Sequence, residues 1–203
     1  DVPPNAPQSQ SFYSPWIGMD TSDNLNLIQP VNPWFGSSWS FYTEYFQWSP
    51  THNQNSQQQP TSAGNTMHGQ MTFNKEQQAY TILQHDMVTG ANSSQVIPVQ
   101  KTWAGEFKNY TILYVVFEKV APCYAYPPSQ KITFRDLNVY CEGVLTPVKW
   151  ETSYVEDVCS FRAQEVNANT VTMTWDTQAQ DPTAEQLNRS KKSDKQFIAE
   201  KKH

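Results

Sequence analysis

Two polar residues in apolar company are the first candidates for chemistry. Gln29 interrupts the run Leu27-Ile28-Gln29-Pro30, and Glu118 closes the most hydrophobic stretch of the chain, Ile112-Leu113-Tyr114-Val115-Val116-Phe117-Glu118. In an extended strand, alternation sets Glu118 on the face of Ile112, Tyr114 and Val116. A carboxyl group among such neighbours loses hydration, which disfavours its charged form and raises its pKa. A general acid/base needs that state at mildly acidic pH. The other reading of the same residue places Glu118 just past the strand end, in water, paired with Lys119 or Lys131.

Other chemistries find less support. The four histidines, His52, His68, His85 and His203, form no H-x-H or H-x-x-x-H pair, so neither a metal site nor any other cofactor is expected. The G-x-S-x-G nucleophile elbow is absent. With seven glycines in the chain, no Gly-rich phosphate loop is written either. Carboxylate and amide chemistry remains, with Asp20, Glu44, Glu106, Glu118 and Glu142 as its sources.

Such groups need rigid elements to hold them. From Trp16 to Pro50, rings alternate with small and polar residues, as in a strand with two distinct faces. Tyr42, Glu44, Phe46 and Trp48 fall on one side, and Phe41, Tyr45 and Gln47 on the other. An aromatic face carrying a carboxylate and amides suits a groove for sugars or extended peptides. Further strands are expected at Phe12–Met19, Ser38–Trp48, Thr66–Asn74, Ala79–Met87, Gln95–Val99, Tyr110–Lys119, Lys131–Tyr140, Asp157–Arg162 and Val171–Asp176. Thr89-Gly90-Ala91-Asn92 reads as a hairpin turn and Tyr126-Pro127-Pro128-Ser129 as a rigid bend. Short strands without helical patterns between them predict an all-β fold, a two-sheet antiparallel sandwich of jelly-roll kind over residues 12–177. A Pro-rich segment, 1–11, precedes it. Residues 51–64, THNQNSQQQPTSAG, read as a polar mobile loop. From 178 to 203 the chain turns charged, and a marginal helix or a disordered tail is expected there.

Composition narrows the function. A chain of 203 residues is long enough to bury a core. A net charge of −5 leaves no basic stripe to neutralise phosphates, which argues against nucleic acid. The basic residues from Arg189 to Lys195, with Lys201 and Lys202, belong to the tail. No apolar run approaches the roughly 20 residues of a membrane span. The start DVPPNAPQSQ suits a secreted chain after signal-peptide removal, and sequons at Asn92, Asn109 and Asn188 agree with that route. Three cysteines allow one disulfide. Cys141–Cys159 is the expected pair, since strands over 133–141 and 155–163 could be neighbours. Three buried thiols are the alternative.

These features, taken in order, resemble the eqolisin family of glutamic peptidases, secreted acid peptidases with a β-sandwich related to the concanavalin-like lectins. Trp16-Ile17-Gly18-Met19-Asp20 is similar to that family's W-V-G-I-D element. Leu27-Ile28-Gln29 matches its I-L-Q segment, which carries a catalytic glutamine. Tyr45-Phe46-Gln47-Trp48-Ser49-Pro50 resembles its aromatic W-Y-E-W-Y-P strand. Tyr114-Val115-Val116-Phe117-Glu118 resembles its E-W-I-V-E strand, closed by the catalytic glutamate. The segment from Ile132 to Leu137 looks like the next sheet strand, so the likeness runs from about residue 12 to 176 by order and spacing.

The resemblance implies a mechanism. Glu118 would take a proton from water as that water attacks a peptide carbonyl, then return it to the leaving amine. Gln29 would orient the water and donate to the oxyanion, a role worth roughly 2.7–4 kcal/mol for one donor. Trp16, Asp20, Tyr45 and Gln47 would bind substrate. The chain departs from the family at Gln47, where a carboxylate is usual, at Val115, where a Trp is usual, and before Trp16, where two strands are usual. Two other classes stay open. One is a lectin-like module binding glycans through Trp16, Trp34, Trp39, Tyr42, Trp48 and Trp103. The other is an extracellular structural protein that self-assembles through exposed edges.

Overall fold

In the computed structural model of the chain, the described residues are 1–7, 12–120, 122–152, 158–181 and 183. They contain no α-helix, and strands dominate throughout. The chain groups into two compact units, Asp1–Val120 and Ala121–His203, where the sequence suggested one sandwich over 12–177. The expected tail of 178–203 lies largely outside the described residues.

Among the described residues of the first unit there are nine strands: β1 (Phe12–Thr21), β2 (Asn26–Val31), β3 (Ser40–Trp48), β4 (Thr51–Asn55), β5 (Gln59–Pro60), β6 (Met67–Asn74), β7 (Ala79–Asp86), β8 (Asn92–Pro98) and β9 (Tyr110–Val120). One sheet runs in the order β4-β3-β2-β1-β9, with β5 also paired to β3. The other is the meander β6-β7-β8. Every pairing in both sheets is antiparallel. Ile28 and Tyr45 of the large sheet meet Ile82 and Ile97 of the small one in a buried cluster. Burying each such side chain stabilises the fold by about 1.5–3 kcal/mol. Gly69 of β6 lets the layers approach, because a Cβ there would lie 2.8 Å from the Pro30 ring.

β2 escaped the list of expected strands for a physical reason. All six of its residues are buried, so no alternation marks it. It also carries Pro30, which usually signals an edge strand, yet it lies between β1 and β3. The segment 51–64 differs from expectation as well: it is no free loop. Its first five residues pair along β3, and Ser56 Oγ lies 2.7 Å from Ser93 Oγ of β8. The Pro-rich start is tied down too, with Val2 buried and exchanging backbone hydrogen bonds with Gly64 and Asn65.

The second unit holds β10 (Lys131–Phe134), β11 (Tyr140–Cys141), β12 (Val144–Leu145), β13 (Arg162–Asn167) and β14 (Thr170–Thr174). They form a three-stranded sheet, β10-β14-β13, and a hairpin, β11-β12. The disulfide joins Cys123 to Cys159, with Cα atoms 5.3 Å apart, which corrects the expected Cys141–Cys159 pair. Cys141 is a free, exposed thiol in the short hairpin, because the long strand expected over 131–140 ends at Phe134. Cys159 sits in the turn before β13, with Cys123 in a single 3-10 turn (Cys123–Ala125).

Candidate functional site

Register decides which candidate residues share a face. Ser14 stands opposite Glu118, and Trp16 opposite both Val116 of β9 and Val31 of β2. Gln29, two positions from Val31, stands opposite Glu44. Asn55 and Asn53 of β4 face Glu44 and Phe46. Period-two alternation therefore collects Glu118, Trp16, Gln29, Glu44, Tyr42, Phe46, Trp48 and Asn53 on one face of the large sheet. Ile28 and Tyr45, of opposite parity, point into the core, so this face is turned away from the small sheet.

Hydrogen bonds knit that face. Gln29 Nε2 donates to Glu44 Oε2 at 2.5 Å, and Asn53 Nδ2 donates to Glu44 Oε1 at 2.7 Å. Gln29 is buried, and its Oε1 is without a protein partner. Trp16 Nε1 donates to Glu118 Oε2 at 3.3 Å. Gly18 makes room for the indole: a Cβ there would lie 2.9 Å from Trp16 Cζ3 and 3.1 Å from Leu27 Cδ1.

Electrostatics link the two carboxylates. Desolvation raises the pKa of Glu118, the Trp16 hydrogen bond lowers it, and the charge of Glu44 raises it again. Glu118 as a whole is exposed. Its carboxyl is held by the Trp16 indole on one oxygen while water still reaches the residue. Burial first, and then the charges of Glu44 and Glu118, push the Tyr42 phenol up to about 12. Glu118 lies inside β9, so the reading that set it beyond a strand end does not hold.

The other expected site residues part ways. Asp20 is buried, and its Oδ1 accepts from the backbone N–H groups of Thr21 (2.7 Å) and Asn26 (3.1 Å). Its carboxylate closes the β1–β2 turn, and desolvation raises its pKa despite those bonds. Tyr45 and Gln47 fall on the opposite face from Gln29, which corrects their assignment to substrate. Tyr45 belongs to the core, and its OH accepts from Asn26 Nδ2 (2.8 Å) and donates to Gln47 Oε1 (2.7 Å). Gln47 Nε2 in turn donates to Pro50 O at 2.8 Å. Of the rings offered for sugars, Trp34 and Trp39 are buried in the core. Asn92 and Asn109 are exposed, and Asn188 lies outside the described residues.

Glu44 is the residue that the assignment of site roles missed. Parity had set it opposite in facing to Gln47, and that was correct. Pairing β2 with β3 from the sequence would have found it, but Pro30 hid β2.

Among the described residues, no cluster of three or more His, Cys, Asp or Glu could hold a metal ion. Among the described residues, no helix is long and apolar enough to cross a membrane.

No protein-family model matches the chain, and no curated protein matches it in sequence. Solved structures do match its fold. Aspergilloglutamic peptidase from Aspergillus niger superposes with a TM-score of 0.54 at 13% identity, covering 81% of this chain and 98% of its own. Scytalido-glutamic peptidase with a peptide-based transition-state analogue gives 0.55 at 13% identity, covering 86% and 88%. SCP-B, an eqolisin peptidase in complex with the tripeptide Ala-Ile-His, gives 0.50 at 14% identity over the same shares. The fold is therefore that of the eqolisin glutamic peptidases.

Proposed function

We propose that this chain is a glutamic-peptidase-type hydrolase of polypeptides, secreted and working at acidic pH, with Glu118 and Gln29 as its catalytic residues. The observation that supports the reading is that Gln29, Glu44 and Glu118 lie on the same face of one sheet, where the pKa of Glu118 is raised. Likeness of fold to peptidases at low identity supports the architecture of such a site, and the residues supply its chemistry.

The steps follow from what each group can donate or accept. Ionised Glu118 accepts a proton from water as the water oxygen attacks the scissile carbonyl carbon. The carbonyl oxygen becomes an oxyanion, and a Gln29 Nε2–H not committed to Glu44 donates to it. Protonated Glu118 then gives its proton to the amine nitrogen as the C–N bond breaks. A carboxyl with a raised pKa suits both halves of this cycle in acid. The Cys123–Cys159 bond supports secretion, because disulfides persist in oxidising compartments.

The test is cleavage of an acid-denatured protein at about pH 3–4, where a raised carboxyl exchanges protons readily. Wild type should cleave, and Glu118→Gln should not. Gln29→Ala should lose about 10²–10³-fold in kcat, as expected for one oxyanion donor. Equal cleavage by all three proteins would remove the dyad, and no cleavage by wild type at any pH would remove the peptidase reading.

A further inference from the structure

We infer that Glu44 is a positioning residue that fixes which way the Gln29 amide points, so that Gln29 Oε1 faces the attacking water. The inference rests on the peptidase reading and assigns the residue that makes it work.

A glutamine amide has two ends of nearly equal size and opposite hydrogen-bonding character. Without a discriminating partner it would present either end to the reacting groups. Glu44 is such a partner, because its Oε2 is placed to accept from the amide nitrogen of Gln29. Its Oε2 takes Gln29 Nε2–H at 2.5 Å, so the nitrogen end is committed toward β3. Glu44 is itself held, since Oε1 takes Asn53 Nδ2–H at 2.7 Å from β4. The chain of restraint runs from the edge strand through β3 to β2: Asn53 reaches Glu44 diagonally across the ladder, and Glu44 stands opposite Gln29.

The consequence is visible on the other end of the amide. Gln29 Oε1 is buried and lacks a partner, and a buried acceptor in that condition calls for a water. One Gln29 N–H remains beside it for the oxyanion. With the amide turned over, Nε2 would take the place of Oε1, and no acceptor for a water O–H would be left there. Three groups on the same sheet face bear on Glu118. They are the Trp16 indole of β1, the Tyr42 phenol of β3 and the Glu44 carboxylate of β3. Of these, Glu44 is the one whose charge works against ionisation of Glu118.

The experiment uses Glu44→Gln and Glu44→Leu in the full chain, with thermal melting to confirm that each is folded. Two kinds of readout are taken. The first needs no activity: the Gln29 side-chain amide protons are followed by 15N NMR. In wild type one of them should exchange slowly, and in Glu44→Leu it should exchange freely. The second is kinetic. Glu44→Leu should lower kcat by about 10²-fold, the scale of a misplaced catalytic group, with KM nearly unchanged. Glu44→Gln keeps an acceptor oxygen and should recover part of that loss. In both variants the acidic limb of kcat/KM should move to lower pH, because a negative charge that opposed Glu118 ionisation is gone.

Wild-type kcat in both variants, a loss confined to KM, or an amide signal that ignores Glu44 would overturn the inference. If Glu118→Gln is dead and the Glu44 variants are not, only this assignment fails. If wild type cleaves nothing, the peptidase reading fails and the catalytic role of Glu44 falls with it. The amide exchange then reports only whether the pair forms.

Discussion

At the scale of single residues, Trp16 makes a prediction whose sign can be worked out. Its Nε1–H donates to Glu118 and stabilises the ionised carboxylate, so it lowers a pKa that desolvation has raised. Trp16→Phe keeps a ring over Gly18 but removes the donor, and the Glu118 pKa should rise further. A general base must be ionised to act, so the acidic limb of kcat/KM should shift to higher pH. The pH profile of peptide cleavage measures this, and a shift to lower pH would count against the pairing. Trp16→Phe and Glu44→Gln should therefore move the same limb in opposite directions. Gly18 was legible in the sequence only as part of a W-I-G-M-D string. Its physical role, room for the Trp16 indole, needs the distances.

Among the elements, β3 separates site from core by alternation alone. Even-numbered Tyr42, Glu44 and Phe46 take the outer face, while Phe41, Thr43 and Tyr45 are buried. That division was readable from residue types, but which face held the chemistry was not, because it depends on the partner strand. Tyr45 tests the outcome. Tyr45→Phe removes an OH that bonds both Asn26 and Gln47, and should cost about 1–3 kcal/mol in stability by leaving buried groups unpaired. At temperatures where the variant is folded, kcat and KM should stay close to wild type. Denaturant unfolding and steady-state kinetics check the two halves, and a large KM effect would return Tyr45 to the substrate. The strand β4 teaches the reverse lesson. Its residues, THNQN, are all exposed and carry no apolar pattern, so composition alone read them as loop. They form a strand because β3 offers an unpaired edge, and Asn53 reaches the site only by that pairing.

For the molecule as a whole, the proposed activity in acid would demand stability in acid, and Asp86 bears on that. Its carboxylate is fully buried. Burial opposes ionisation, but hydrogen bonds from Thr61, Asn65 and the backbone N–H groups of Val88 and Thr89 outweigh it and hold the pKa at about 2. Those bonds tie the β5–β6 connection to the β7–β8 turn. The folded pKa lies below the ordinary value of 3.8, so the contribution is fully present above that pH and is lost as pH falls through about 2. From that shift it amounts to about 2 kcal/mol. Asp86→Asn should therefore be less stable than wild type by about that much near neutrality, with the gap closing toward pH 2. Unfolding free energies across pH measure it, and a gap independent of pH would assign the loss to packing.

What the sequence determined by itself is local: the strand content, the two-faced aromatic segment, the hairpin at Thr89–Asn92, and the placement of Glu118 on an apolar strand. Each follows from alternation or turn chemistry within a few residues. Tertiary structure decided everything that depends on register. It set Gln29 opposite Glu44, turned Tyr45 and Gln47 to the core face, drew β4 out of an apparent loop, and joined Cys123 rather than Cys141 to Cys159. The physical reason is that side chains alternate with a period of two, so a one-residue difference in pairing exchanges the faces of a strand. No residue carries that register alone; it is chosen by which arrangement buries Ile28, Tyr45, Ile82 and Ile97 together.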